Sequence, residues 1–212
     1  MKKYEFTGET KQINLLFRTA TLHRIRAVVE FGLVKIGDLG GWIEKEENLS
    51  HDGKAWVWDN AEVCGDAEVW DNAKVCGDAK VWDNAKVCGD AKVCGDAKVW
   101  DNAEVWGNAE VCGDAEVCGD AEVCGDAEVF SASHVLVIGA IGSRNDFTTF
   151  FRDKDGEITV KCGCFLGKID RFLEKVASTH GNSKYALVYR AAVEVAKLQI
   201  DLTGEAPEMD EE

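Results

Sequence analysis

Three residue types in this 212-residue chain could do chemistry: four histidines, nine cysteines and a long series of carboxylates. His23, His51, His134 and His180 are the candidate general bases, because imidazole titrates near neutral pH. They are widely scattered, and none falls inside a regular repeat before the last. Cys76, Cys94 and Cys112 recur at a fixed 18-residue interval, and Cys162 and Cys164 form a CxC pair on one face of an extended segment. Structural zinc asks for four converging ligands, typically from CxxC knuckles. A straight column does not converge, and CxC has no matched second pair. Disulfides along the column are expected to be disfavoured, because parallel Cβ vectors about 4.8 Å apart exceed the preferred separation. Cysteine reads as a small apolar filler, with no metal and no cofactor expected. The remaining chemistry is recognition. Glu104, Glu110, Glu116 and Glu122 recur every six residues, and Trp58, Trp70, Trp82, Trp100 and Trp106 keep the same period. Carboxylates and indoles at regular spacing suit binding.

The element that must position these residues is a repeat. From Val57 to Val135, valine recurs every six residues, and alanine precedes each valine by two from Ala55 to Ala127. Six fits neither an amphipathic helix nor an alternating strand. It fits a short strand plus a turn, the unit of a parallel β-helix. Val and Ala share the inward face of each strand. The residue after Val (Trp, Cys or Phe) points out. Asp-Asn, Gly-Asp or Gly-Asn then turns the corner. Three sides make an 18-residue coil, so the 14 hexads give nearly five coils and a rod roughly 22 Å long.

Residues one coil apart should stack. One side carries Trp58, Cys76, Cys94, Cys112 and Phe130. A second carries Cys64, Trp82, Trp100, Cys118 and Leu136. The third carries Trp70, Cys88, Trp106 and Cys124. Trp82 is expected to stack on Trp100, and the three 18-spaced cysteines to form a thiol column. Such exposed apolar ladders suit docking of a partner or of a second protomer.

The repeat resembles the hexapeptide repeat of left-handed parallel β-helices. That resemblance implies a left-handed coil, an exception to the usual right-handed crossover. Hexapeptide β-helices are often trimeric acyltransferases with a histidine base and loops that leave the coil to hold an acyl carrier. Here no loop interrupts the repeats, and His134 is the nearest candidate base, better explained as an exposed polar residue. A closer resemblance covers most of the chain. IRAVVEFGLVKIGDLGGWIEKEENLS, the AxVWDNA repeats and ITVKCGCFLGKIDRFLEKVASTHG look like uncharacterised hexapeptide-repeat proteins of phages, prophages and gut bacteria, with Gly37–Glu44 the most specific motif. It implies a fold and a mobile-element setting, and no activity.

The flanks complete the expected architecture: mainly β, with an N-terminal β cap over residues 1–54, the helix over 55–140, a C-terminal ββαα module over 141–202 and an acidic tail over 203–212. KYEF, QINLLFRT and LHRIRAVVEF read as short strands, and Trp42, Ile43 and Leu49 as apolar contacts onto the first coil. A cap is needed because a solenoid end exposes unpaired backbone and a bare core. FTTFFRDKDGEITVKCGCF reads as a hairpin around Asp153–Gly156. Two helices follow. The first has Ile169, Phe172, Leu173 and Val176 on its apolar face and ends at Gly181. The second has Ser183 at its N-cap.

Net charge is −15, and the repeats from Val57 to His134 hold 18 acids against 5 lysines. After Lys98 the repeats contain no lysine. This disfavours direct nucleic-acid binding, which needs Lys and Arg to displace counterions. The repeat charge also approaches the density of a DNA duplex of equal length. No signal peptide and no membrane span are read, and the repeat slots of the cysteines suit a reducing, cytoplasmic setting, that of the host cell if phage-encoded. The reading is a non-enzymatic binding protein whose acidic rod engages a host protein, such as a defence or nucleic-acid-handling factor. Homo-oligomers could form through the C-terminal module or the Trp and Cys faces. The alternatives are an acyltransferase-like enzyme and a purely structural, self-assembling protein.

Overall fold

The computed structural model of the chain describes residues 1–15 and 18–203. Leu16 and Phe17 of the QINLLFRT segment, and the acidic tail from residue 204 on, lie outside the described residues. The chain opens with an antiparallel hairpin, β1 (Tyr4–Asn14) and β2 (Thr19–Ala27). KYEF and QIN belong to one strand, with a bulge between Phe6 and Thr10 where Gly8 takes φ 92°. Strand β3 (Leu39–Ile43) pairs antiparallel with β2 and parallel with the first rung of its side, so it serves as the coil before the repeat.

The repeats then form thirteen short rungs: β4 (Trp56–Val57), β5 (Glu62–Val63), β6 (Glu68–Val69), β7 (Lys74–Val75), β8 (Lys80–Val81), β9 (Lys86–Val87), β10 (Lys92–Val93), β11 (Lys98–Val99), β12 (Glu104–Gly107), β13 (Glu110–Val111), β14 (Glu116–Val117), β15 (Glu122–Gly125) and β16 (Glu128–Val129). Each pairs in parallel with the rung 18 residues on, Val against Val, as in Val93 with Val75 and Val111. Three sheets result: β4-β7-β10-β13-β16, β5-β8-β11-β14 (extended by β3, β2 and β1) and β6-β9-β12-β15. This is a parallel β-solenoid of about five turns. Val57 to Val129 and Ala55 to Ala127 are buried at every repeat and fill one continuous core. The volume per coil is small enough that valine and alanine alone fill it.

Corners follow a two-residue code. The first corner residue has positive φ, for example Asp101 at 59° and Gly95 at 67°. After tryptophan this residue is Asp in four of five cases, and after cysteine it is Gly. Asp59, Asp71 and Asp101 offset the left-handed cost by accepting the N–H of the glycine one coil on, at 3.1, 3.3 and 3.1 Å. Where glycine stacks on glycine no Cβ fits: one on Gly95 would lie 3.0 Å from the Gly113 nitrogen.

The GDLGGWIE motif splices cap to rod. Ile43 and Leu49 sit over Val63 and Val69 and are fully buried, playing the part of valines. Gly40 and Gly41 lack side chains because a Cβ would meet Ile25 and Trp56, or the Ala61 carbonyl, within 2.7 Å. Asn48 is buried, accepting from Lys45 N–H (2.9 Å) and donating to the Ala67 carbonyl (2.8 Å). Tyr4 donates to the Leu49 carbonyl (2.9 Å). Trp42 also packs onto the first coil, against the cluster that holds Cys64. It packs outside the lumen beneath Lys11 and Arg24, because its strand places it on the face opposite Ile43.

The far end also differs in detail. Val135, the fourteenth valine, and Leu136 leave the solenoid. They open β17 (Val135–Ile141), which pairs antiparallel with β18 (Asp146–Arg152), followed by β19 (Ile158–Cys162) and β20 (Phe165–Lys168). The C-terminal sheet thus has four strands, with β18 and β19 the expected hairpin. Helix α1 (Ile169–His180) buries Phe172 and Val176 and ends at Gly181, and α2 (Lys184–Gln199) follows with Ser183 at its N-cap, although the Ser183 hydroxyl makes no cap bond. Phe151 plugs the lumen as part of the rod core. Thr149 accepts from the Glu122 N–H (3.0 Å), and Lys154 N–H donates to the Asp126 carbonyl (3.0 Å), so the last coil's backbone is paired. Among the described residues no helix is long and apolar enough to cross a membrane.

Candidate functional site

The expected outward ladders form. Trp82 and Trp100 stack with ring centroids 5.0 Å apart and planes 2° apart. Cys76, Cys94, Cys112 and Phe130 make one column. Exposure is where the structure corrects the sequence. Trp58, Trp70, Trp82, Trp100 and Trp106 are all half-buried, and none is fully exposed. Trp58 meets Trp56 edge-on at 6.5 Å, and Trp106 packs against the core. Cys64 is covered by Ala20 and Leu22, because the β1–β2 hairpin folds over that side, where Trp82 joins the same cluster. Cys124 is buried beside the C-terminal sheet. The flanking modules therefore cover much of what the repeat alone would leave bare.

The cysteine column is also corrected. Cys94 and Cys112 form a disulfide, with Cα atoms 4.6 Å apart. Coil spacing thus lies within the range a disulfide tolerates, because the side chains can tilt toward each other. Cys76 remains a thiol, pushed up from its ordinary pKa by burial. Cys162 is buried and accepts from the Thr148 hydroxyl (3.3 Å), whereas Cys164 sits exposed in the turn before β20. The two thiols do not share a strand face. Among the described residues no three His, Cys, Asp or Glu side chains converge on a metal position.

The histidines are separated and structural. His23 stacks on Phe6 at 4.8 Å, His51 lies 4.3 Å from Tyr4, and His180 borders Tyr185 and Tyr189. His134 is buried, not an exposed outward residue. Its Nδ1 accepts the Phe130 N–H (3.1 Å), which closes the last coil. Burial, helped by the nearby Arg152 charge, holds its pKa below the ordinary imidazole value.

The four glutamates do not form one acidic face. Glu104 and Glu122 lie on one side of the rod, Glu110 on the second and Glu116 on the third. Each meets a cation or stands beside one. Lys86 reaches Glu104 (3.1 Å), Lys98 reaches Glu116 (2.9 Å) and Lys161 reaches Glu122 (2.6 Å). Lys92 is the register partner of Glu110. The glutamates of the lysine-free second half are thus accompanied by lysines of the preceding coil and of the C-terminal sheet.

Acid without a direct ion pair collects at one set of corners, in a groove that Lys11, Lys80 and Lys98 also line. Asp78, Asp96 and Asp114 occupy the same corner on three successive coils, all exposed. No ion pair to them is found among the described residues. Adjacent coils put like charges about 4.8 Å apart. Asn60, one coil earlier in the same slot, demonstrates that a neutral residue makes this corner equally well. The corners after the other two sides are better compensated: Lys45 reaches Asp66 and Lys154 reaches Asp126, and amide side chains bridge Asn84 to Asn102 (3.1 Å) and Asn102 to Asp120 (3.0 Å). The column was readable from the 18-residue interval, once corners were followed as well as ladders.

No protein-family model matches the chain, and no curated protein matches it either.

Proposed function

We propose that this is a non-enzymatic binding protein of phage type, whose acidic rod engages a host protein with a basic surface, such as a defence or nucleic-acid-handling factor. The column Asp78, Asp96 and Asp114 carries the reading. It keeps exposed carboxylates one coil apart although such neighbours repel. A cationic patch on a partner would relieve that repulsion and gain from it, chiefly in association rate and specificity. The half-buried tryptophans elsewhere on the rod add indole surface. The same negative field opposes direct contact with nucleic acid.

The test compares the wild-type rod with D78N/D96N/D114N, which copies Asn60 at each coil and preserves the turn. Both are immobilised and exposed to host proteins at low and at high salt. The expected result is one protein retained by the wild type at low salt, released at high salt, and not retained by the variant. Equal retention by the two forms, or retention insensitive to salt, would rule out the acidic column as the binding surface.

A further inference from the structure

Helix α2 is apolar on two faces. Ala186, Tyr189, Ala192, Val193 and Ala196 are buried against β17, the rest of the sheet and α1. On the opposite face lie Leu187 (60% exposed), Val188 (39%), Val195 (49%) and Leu198 (90%), with exposed Ala191 among them and Leu202 just beyond the helix. A helix lying on a single-domain surface normally turns polar residues outward. Within the helix, the outward residues Val188, Ala191, Val195 and Leu198 are spaced 3-4-3, which is the seam of two helices packed side by side.

We infer that this face is the interface for a second copy of the chain, α2 against α2 in antiparallel fashion about a two-fold axis near residue 193. In that register Val188 faces the second copy's Leu198, and Ala191 faces the second copy's Val195. Each large residue meets a smaller one, and Ala191 near the axis lets the helices approach to the ordinary 8–10 Å. The outward apolar surface is roughly 500 Å² per copy, hence about 1,000 Å² for the pair, the size at which a specific interface begins. Such a symmetric, self-complementary patch is the ordinary form of a homodimer contact. Helix α2 carries Lys184, Arg190 and Lys197 against Glu194, so it is a basic element of an acidic molecule and can meet its copy without bringing two rods together along their acidic corners. The interface lies on the C-terminal module and stands or falls independently of the rod's partner.

Light scattering on the full chain should give about twice the 23.2 kDa protomer mass. L198E and V195E should each give the protomer mass with unchanged circular dichroism, since both side chains are outside the fold's own core. L198S is the milder variant should either glutamate disturb folding, and should weaken the pair at least tenfold. Orientation is read by V188C/L198C, which should oxidise to a covalent dimer. Neither single variant should do so, because like positions are about 15 Å apart in the antiparallel pair. A wild-type monomer at ~100 μM, a dimer untouched by L198E and V195E, or crosslinking by the single variants would each overturn the inference.

Discussion

His134 is the residue on which acid should act first. Its folded pKa is held below the ordinary 6.5 by burial, aided by Arg152, and its Nδ1 must stay unprotonated to accept the Phe130 N–H. A depressed folded pKa contributes stability that is full above the unfolded value and is lost as pH falls through the folded one. Melting temperature should therefore fall as pH drops below the ordinary imidazole value, and His134→Asn, whose amide oxygen can replace the acceptor, should flatten that fall. Asp153 and Glu44 act lower. Burial raises Asp153, but bonds from Lys168 and Thr159 outweigh it, and Arg18 draws Glu44 down, so their contributions are lost only as pH falls through the carboxylate range. The corner Asp residues make a second residue-scale prediction. Asp101→Ala keeps the left-handed strain and loses the bond from Gly119, so it should cost about 1–2 kcal/mol in urea unfolding. Asp101→Gly removes strain and bond together and should be close to neutral.

Among elements, the β1–β2 hairpin decides which ladder positions matter. Trp82 and Trp100 stack equally on each other, yet only Trp82 joins the cluster of Leu22 and Cys64 beneath the hairpin. Trp82→Ala should cost about 2–3 kcal/mol and Trp100→Ala about 1 kcal/mol, measured by chemical unfolding of each variant. Equal losses would mean that the hairpin contributes no packing there. The four-stranded C-terminal sheet does the same at the other end, where Phe151 plugs the lumen and Lys161 takes Glu122. Both caps convert outward repeat residues into interior ones.

At the scale of the whole molecule, charge and geometry oppose each other. The chain carries −15, and stacked coils bring like corners together, while ladder ion pairs such as Lys98–Glu116 are exposed and weak. Screening should relieve more repulsion than attraction. Melting temperature is expected to rise on adding salt to about 0.5 M, and a fall would show that the ion-pair ladders dominate.

The sequence by itself determined the solenoid. Val57 to Val129 repeat without a slip, so one strand-and-turn unit dictates the lumen, the 18-residue coil and the Trp82–Trp100 stack. Ile43 and Leu49 were legible as cap contacts for the same reason, being apolar residues beside turn signals. The repeat could not indicate what lies over it. That His134 is buried, that Cys64 and Cys124 are covered, that Glu122 meets Lys161 and that Val135 leaves the rod were decided by caps packing across long sequence distances, where no period connects the partners. That the four glutamates have lysine neighbours was hidden for a related reason: lysines one coil away are 18 residues distant in sequence but about 4.8 Å away in space. The outward seam of α2 was written in the 3-4-3 spacing of Val188, Ala191, Val195 and Leu198, but only the tertiary structure could say which of its two apolar faces the molecule had already used, because a helix with apolar residues on both sides does not specify which side is the core.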